Sequence, residues 1–114
     1  MKESDLQKQV AKYLDNICRI KGGYWFHVAN ETGQRAKVGL LVKRKSQGVK
    51  AGVPDCIILK DGNMYYLELK IKGGRVSDNQ KNSMENLDNN GASGIVAYNY
   101  TDACEYINII FNVK

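Results

Sequence analysis

The sequence predicts an α/β fold in which a mixed central sheet is flanked by helices, and three observations predict it. Apolar residues recur at helical spacing near the N-terminus, two strand-like runs meet at Asp61-Gly62, and a helix-length segment separates the second run from a third strand-like run. The chain has 114 residues, enough for one domain with a core and too few for two. Residues 1–114 therefore read as a single module without repeat, low-complexity tract or linker.

Ser4 followed by Gln7 forms a capping-box pattern, and Leu6, Val10, Tyr13, Leu14 and Ile17 share one helical stripe. A helix is expected to end near Lys21 to Gly23, where two glycines stop it. "YWFHVAN" (Tyr24 to Asn30) is aromatic and β-branched enough for a strand, with Trp25 as core and His27 as a core or edge histidine. Ala36 to Lys45 admits a short helix, but two glycines and mixed periodicity make residues 31–52 read as a basic, partly mobile connection. Asp61-Gly62 between apolar runs signals a two-residue type I′ turn, with strands over Asp55 to Lys60 and Asn63 to Ile71. Ser77 and Gln80 make a second capping-box pattern for a helix reaching Asn89. "SGIVAYNY" is a third strand, and the intervening helix suits a parallel crossover. A final helix from Thr101 or Asp102 carries Ala103, Tyr106, Ile107 and Ile110.

Lys and Arg number 17 against 12 Asp and Glu, a net charge of +5 that favours a polyanionic partner. The longest apolar runs are only a few residues and "MKESDLQKQV" lacks a signal-peptide core, so a soluble, cytoplasmic chain without a membrane partner is expected. Cys18, Cys56 and Cys104 are odd in number, far apart and set in apolar patterns. That spacing reads as buried thiols, not a disulfide framework or metal site.

The hairpin contains an oddity. With a two-residue turn Lys60 faces Asn63, which sets Asp55 opposite Glu68, and the strand period of two adds Lys70 to the same face. Directly opposed residues have Cβ atoms about 4.5–5.5 Å apart, and like charges at that spacing destabilise a sheet unless something compensates. The alternative is a solvent-facing row of charges. Alternation argues against it, because Ile57 and Leu59 share the face of Asp55 and would be buried with it. Two hard carboxylates are the natural partners of a divalent cation such as Mg²⁺, with substrate phosphate oxygens and water completing its shell. A lysine beside them can hold a water or a phosphate, so the set suits phosphodiester hydrolysis.

"PD" at Pro54-Asp55, followed after 12 residues by "ELK" at Glu68-Leu69-Lys70, resembles the signature of the PD-(D/E)XK nuclease superfamily. "GVKAGVPD", "LELK" and "GRVSDNQ", with "NE" at Asn30-Glu31 upstream, resemble the VRR-NUC (virus-type replication-repair nuclease) family. The resemblance runs from about Tyr24 to Tyr98, with Glu3 as a further match. It implies a restriction-endonuclease-like fold and a Mg²⁺- or Mn²⁺-dependent DNA endonuclease, structure-selective for branched or four-way-junction DNA. It further implies Asp55 and Glu68 as metal ligands with the Leu69 backbone carbonyl, Glu3 as a weaker ligand, Lys70 as catalytic lysine, and Gln80 as a residue orienting water or phosphate. Gln80 is equally the fourth residue of a capping box, and Glu3 equally a helix-dipole partner.

Lys72, Gly73, Gly74 and Arg75 form a basic turn beside these residues, suited to a DNA phosphate, and Lys37, Lys43, Arg44, Lys45 and Lys50 extend the basic surface. A solvated face reads the same way. The competing functions are a non-catalytic DNA-binding module, for which a repulsive carboxylate pair has no use, and a flap or nicking nuclease. "EYINIIFNV" carries more apolar residues than one helical face buries, which points to a homodimer addressing two equivalent strands. The other reading tucks this terminal segment into the core.

Overall fold

The computed structural model describes residues 1–29 and 38–114, with the side chains of Val38 and Leu41 left aside. Asn30, Glu31 and Lys37 lie outside the described residues.

Helix α1 spans Glu3–Lys21 and buries Leu6, Val10, Leu14 and Ile17, the stripe expected from spacing. Its start differs from the expectation. The cap is Lys2, whose N–H donates to the Asp5 carboxylate at 3.1 Å, so Ser4 lies inside the first turn. Asp5 reaches back as the third helical residue and also suits the positive end of the dipole. Gln7 is thereby released from capping, and its amide meets Cys56 Sγ at 3.5 Å.

Strand β1 (Tyr24–His27) pairs antiparallel with β2 (Cys56–Lys60), and β2 pairs antiparallel with β3 (Asn63–Leu69). Asp61 and Gly62 have φ of 52° and 81°, the positive values a type I′ turn needs, and Lys60 pairs with Asn63 as that turn dictates. Both strands are shorter than expected, because Asp55 bends away just before β2 and Lys70 and Ile71 follow β3. Helix α3 (Asp78–Asn89) then carries the chain to β4 (Ser93–Ala97), which lies parallel to β3. The four-stranded sheet has the order β1-β2-β3-β4, so the hairpin supplies its two central strands.

Alternation along the strands divides the interior in two. Cys56, Ile58, Leu67, Leu69 and Ala97 face α1 and α4 (Tyr100–Ile110) in the main core. Ile57 and Tyr66 face α3 in a smaller cluster with Ala92, Met84 and Leu87. A Cβ on Gly94 would fall 2.1–2.3 Å from the Tyr66 ring, so that ring lies directly over the β4 backbone. Helix α3 fully buries none of its residues, and Leu59, expected inside, lies outside the cluster that packs against α3 and is 37% exposed. Tyr24, Phe26 and Met64 are exposed on the same sheet face.

Residues expected to form a connection contain helix α2 (Val38–Ser46), and its described side chains are mostly exposed. Three basic residues in its last turn, Lys43, Arg44 and Lys45, complement the helix dipole and outweigh the glycine within it. Trp25 is half-buried, its indole N–H donating to Asp15 at 2.7 Å. Cys18, Cys56 and Cys104 are free thiols, with Cys56 buried and the others half-buried.

Helix α4 begins at Tyr100, one or two residues earlier than expected, because the Asn99 side chain accepts from the Asp102 N–H at 2.8 Å. At its other end Asn112 takes a φ of 56°, and the N–H groups of Asn112 and Val113 reach back to Ile109 and Asn108. This left-handed cap closes the helix and tucks Phe111 into the core. Ile107 and Phe111 are therefore internal, and Ile109 (77% exposed) and Val113 are what the C-terminal segment leaves open. Among the described residues, no helix is long and apolar enough to cross a membrane.

Candidate active site

The site lies where β2 begins and β3 ends, beneath the first turn of α3. The register expected for Asp55 and Glu68 holds through the hairpin, yet the two carboxylates do more than face one another. The Asp55 N–H donates to Glu68 Oε1 at 3.2 Å, and the Leu69 N–H donates to Asp55 Oδ2 at 2.8 Å. Each carboxylate is thus held by a backbone amide from the opposing segment, which offsets part of the repulsion between them.

Glu68 is 2% exposed and is the buried charged residue among those described. Burial first, and then the Asp55 charge, push its carboxyl from an ordinary value of 4.5 up to about 8, against the opposing pull of Lys70. The Lys70 ammonium stands 3.8 Å from Glu68 Oε2. That separation lessens the charge without forming a tight pair.

The other Glu68 contact comes from α3. Ser77 caps this helix through a reciprocal box: its hydroxyl accepts from the Gln80 N–H at 3.1 Å, and its own N–H donates to Gln80 Oε1 at 2.9 Å. With Oε1 so engaged, Nε2 is the end that donates to Glu68 Oε2 at 2.6 Å. The capping box and the Glu68 contact of Gln80 coexist, and the cap sets which end of the amide faces Glu68. Gly52 allows this closeness. At φ 76° its Cα abuts the start of α3, where a Cβ would fall 2.4–2.6 Å from backbone atoms of Asn79 and Gln80.

A cavity of about 320 Å³ opens beside Asp55, lined also by Leu69, His27, Glu3, Ser4 and Gln7. Glu3 thus reaches the same cavity as Asp55 from α1. Among the described residues no three His, Cys, Asp or Glu side chains gather into a metal-binding cluster. The oxygens this pair offers a divalent cation are those of the Asp55 and Glu68 carboxylates, and water and phosphate would be needed to complete its shell. Such a set fits Mg²⁺ or Mn²⁺, since Mg²⁺ is usually held by one or two carboxylates and keeps several waters. A buried glutamate raised by a neighbouring carboxylate is the electrostatic defect that a cation there would correct.

Lys72 and Arg75 are exposed on the turn that follows Lys70, closed by the Gly74 N–H donating to the Ile71 carbonyl at 2.8 Å. Lys43, Arg44 and Lys45 stand on α2, and exposed Lys50 precedes the Gly52 loop; the hydrogen bonds and ion pairs of Asp55 and Glu68 among the described residues include none of these four. His27, expected to be a core or edge histidine, sits exposed at the end of the edge strand with Nδ1 2.8 Å from the Asp55 carbonyl oxygen. Spacing along the chain gave no signal for that contact, because the β1–β2 register has no short turn to fix it.

Comparison with known proteins supplies the family. The VRR-NUC domain model matches residues 21–99. A solved VRR_NUC domain protein superposes with a TM-score of 0.78 at 20% identity, covering 99% of this chain and 90% of the other. A second solved chain, described as a VRR_NUC domain, gives 0.62 at 18% identity, covering 93% and 94%. No curated protein matches. The family match spans both carboxylates, Lys70 and Gln80, and the two structures share the mixed sheet and its flanking helices, so this chain belongs to the VRR-NUC domain family and carries its nuclease-type fold.

Proposed function

We propose that the chain is a divalent-cation-dependent endonuclease that hydrolyses phosphodiester bonds in DNA, with Mg²⁺ or Mn²⁺ as cofactor and branched or four-way-junction DNA as preferred substrate. The observation that carries this reading is the convergence of Asp55, Lys70 and Gln80 on the buried Glu68 carboxylate. A binding module would gain nothing from a carboxylate pair that raises its own energy.

In this reading Asp55, Glu68 and the Leu69 carbonyl hold the cation, with Glu3 lending further charge across the shared cavity. A bound Mg²⁺ or Mn²⁺ supplies Lewis-acid chemistry, polarising a phosphoryl oxygen and acidifying water. Gln80 keeps Glu68 oriented through a neutral donor. Lys70, whose ammonium stands 3.8 Å from Glu68, holds the attacking water or a non-bridging oxygen and offsets negative charge as the phosphate becomes five-coordinate. Lys72 and Arg75 take flanking phosphates, and Lys43, Arg44, Lys45 and Lys50 extend the contact along the backbone.

No separate base-reading element is visible among the described residues, which favours recognition of DNA shape over sequence. A two-fold branched substrate presents two equivalent strands, and a homodimer is the assembly that addresses both. Labelled duplex, single-stranded, flap and four-way-junction DNA, each incubated with Mg²⁺, Mn²⁺ or EDTA, test the activity and substrate together. Metal-dependent cutting of junctions is expected; binding without cleavage in every metal would overturn the enzymatic reading. Light scattering with and without junction DNA tests the dimer.

A further inference from the structure

His27 ends the edge strand β1 opposite Cys56, one residue past Asp55. The Asp55 carbonyl oxygen accepts twice from this side, from the Val28 N–H at 2.8 Å and from His27 Nδ1 at 2.8 Å. A carbonyl oxygen can only accept, so Nδ1 carries the proton whatever the charge of the ring. From the other side Asp55 is tied to β3, through its own N–H to Glu68 and through Oδ2 to the Leu69 N–H. Asp55 lies in the bend before β2 and outside the regular ladder, so these contacts are what fix its peptide plane. Among the described residues the imidazole supplies the one side-chain donor to its backbone, and His27 and Asp55 line the same cavity.

We propose that His27 is a positioning residue of the centre: its Nδ1–H clamps the Asp55 peptide and so holds the Asp55 carboxylate at the place where it and Glu68 take the cation. This rests on Asp55 and Glu68 being the metal site, and it assigns a role to the single histidine of the chain. The role acts through Asp55, since a first-sphere carboxylate is only as well placed as the groups behind it.

Two isosteres separate the ring nitrogens. His27→Asn presents an amide N–H near the position of Nδ1, whereas His27→Gln presents one near that of Nε2. Mn²⁺ affinity is measured by titration calorimetry for the full chain without DNA, and kcat and KM for cleavage are measured alongside. His27→Ala and His27→Gln are expected to weaken Mn²⁺ binding by about 10–100-fold, the usual effect of losing a group behind a ligand, and to lower kcat while KM for DNA changes little. His27→Asn is expected to regain most of both. His27 is exposed, so these variants should fold, and circular dichroism checks this. Ring ¹⁵N shifts of the metal-free wild type, taken where the imidazole is neutral, should report the Nδ1–H tautomer. Wild-type Mn²⁺ affinity in His27→Ala, a His27→Gln variant as competent as His27→Asn, or the Nε2–H tautomer would each overturn the proposal. Asp55→Asn, run in parallel, distinguishes the failure of the underlying site: undiminished Mn²⁺ binding there removes Asp55 as a ligand and the His27 role with it.

Discussion

Gln80 donates to Glu68 at 2.6 Å with the amide end that its helix cap leaves free. A local folding element and a buried carboxylate are therefore mechanically joined through one side chain. Ser77→Ala removes the hydroxyl that accepts from Gln80 and should destabilise the protein by about 0.5–2 kcal/mol, the usual cost of an N-cap. Because the cap also orients Gln80, the same change should slow cleavage, although Ser77 makes no contact with Glu68. Urea unfolding and single-turnover cleavage measure the two effects; an unaltered rate would show that Gln80 keeps its place without the box.

Asp55→Asn and Glu68→Gln should each lower cleavage by at least about a hundredfold, the order expected on losing one preorganised electrostatic contact, with the circular dichroism spectrum intact. Lys70→Ala should still bind junction DNA in a filter or mobility assay while losing most of the rate. Near-normal turnover in any of the three would remove that residue from the mechanism.

The Glu68 carboxyl is raised from 4.5 to about 8 by burial and the Asp55 charge. The folded protein then binds more protons than the unfolded chain across that interval, so stability falls as pH rises. It is fully present below about 4.5 and is lost on passing through about 8. In EDTA, Tm should decline from pH 5 to pH 9, and Glu68→Gln should flatten the decline. Added Mg²⁺ should raise Tm more at pH 9 than at pH 6, because the cation replaces a proton at the site. A Tm that rises with pH in EDTA would contradict this electrostatic account.

Two glycines should respond differently to an added methyl group. Gly94→Ala drives a Cβ into the Tyr66 ring, an overpacking that costs about 1–3 kcal/mol, and its main effect should be on Tm. Gly52→Ala meets backbone atoms of Asn79 and Gln80 and must also hold φ near 76°. It should lower Tm and, by displacing the start of α3, weaken Mg²⁺-dependent cleavage per folded molecule. Thermal scans paired with activity normalised to folded fraction separate the two.

The features legible in the sequence were those set by local chemistry. Asp61-Gly62 fixed a turn, the turn fixed a register, and the register brought Asp55 to Glu68. The Ser77–Gln80 box and the apolar stripe of α1 were local in the same sense. What escaped depends on distant pairing or on how far one element reaches over another. His27 meets Asp55 across 28 positions without a turn to set the pairing, and Leu59 is open because it falls outside the cluster packed against α3. The C-terminal apolar run looked like surplus surface until the Asn112 cap turned Phe111 inward.

The amide at position 80 has a consequence for engineering. Capping boxes accept glutamate as readily as glutamine, and a carboxylate at a helix N-terminus gains from the dipole as well. Gln80→Glu is therefore the exchange a stability-minded redesign would try first on α3. Here it would aim a third carboxylate at Glu68 and Asp55 and leave Glu68 without its neutral donor. Improvement has to be sought on the far side of the helix, at exposed Asn82 and Asn86, where better helix formers offer up to about 0.7 kcal/mol each and touch nothing in the centre.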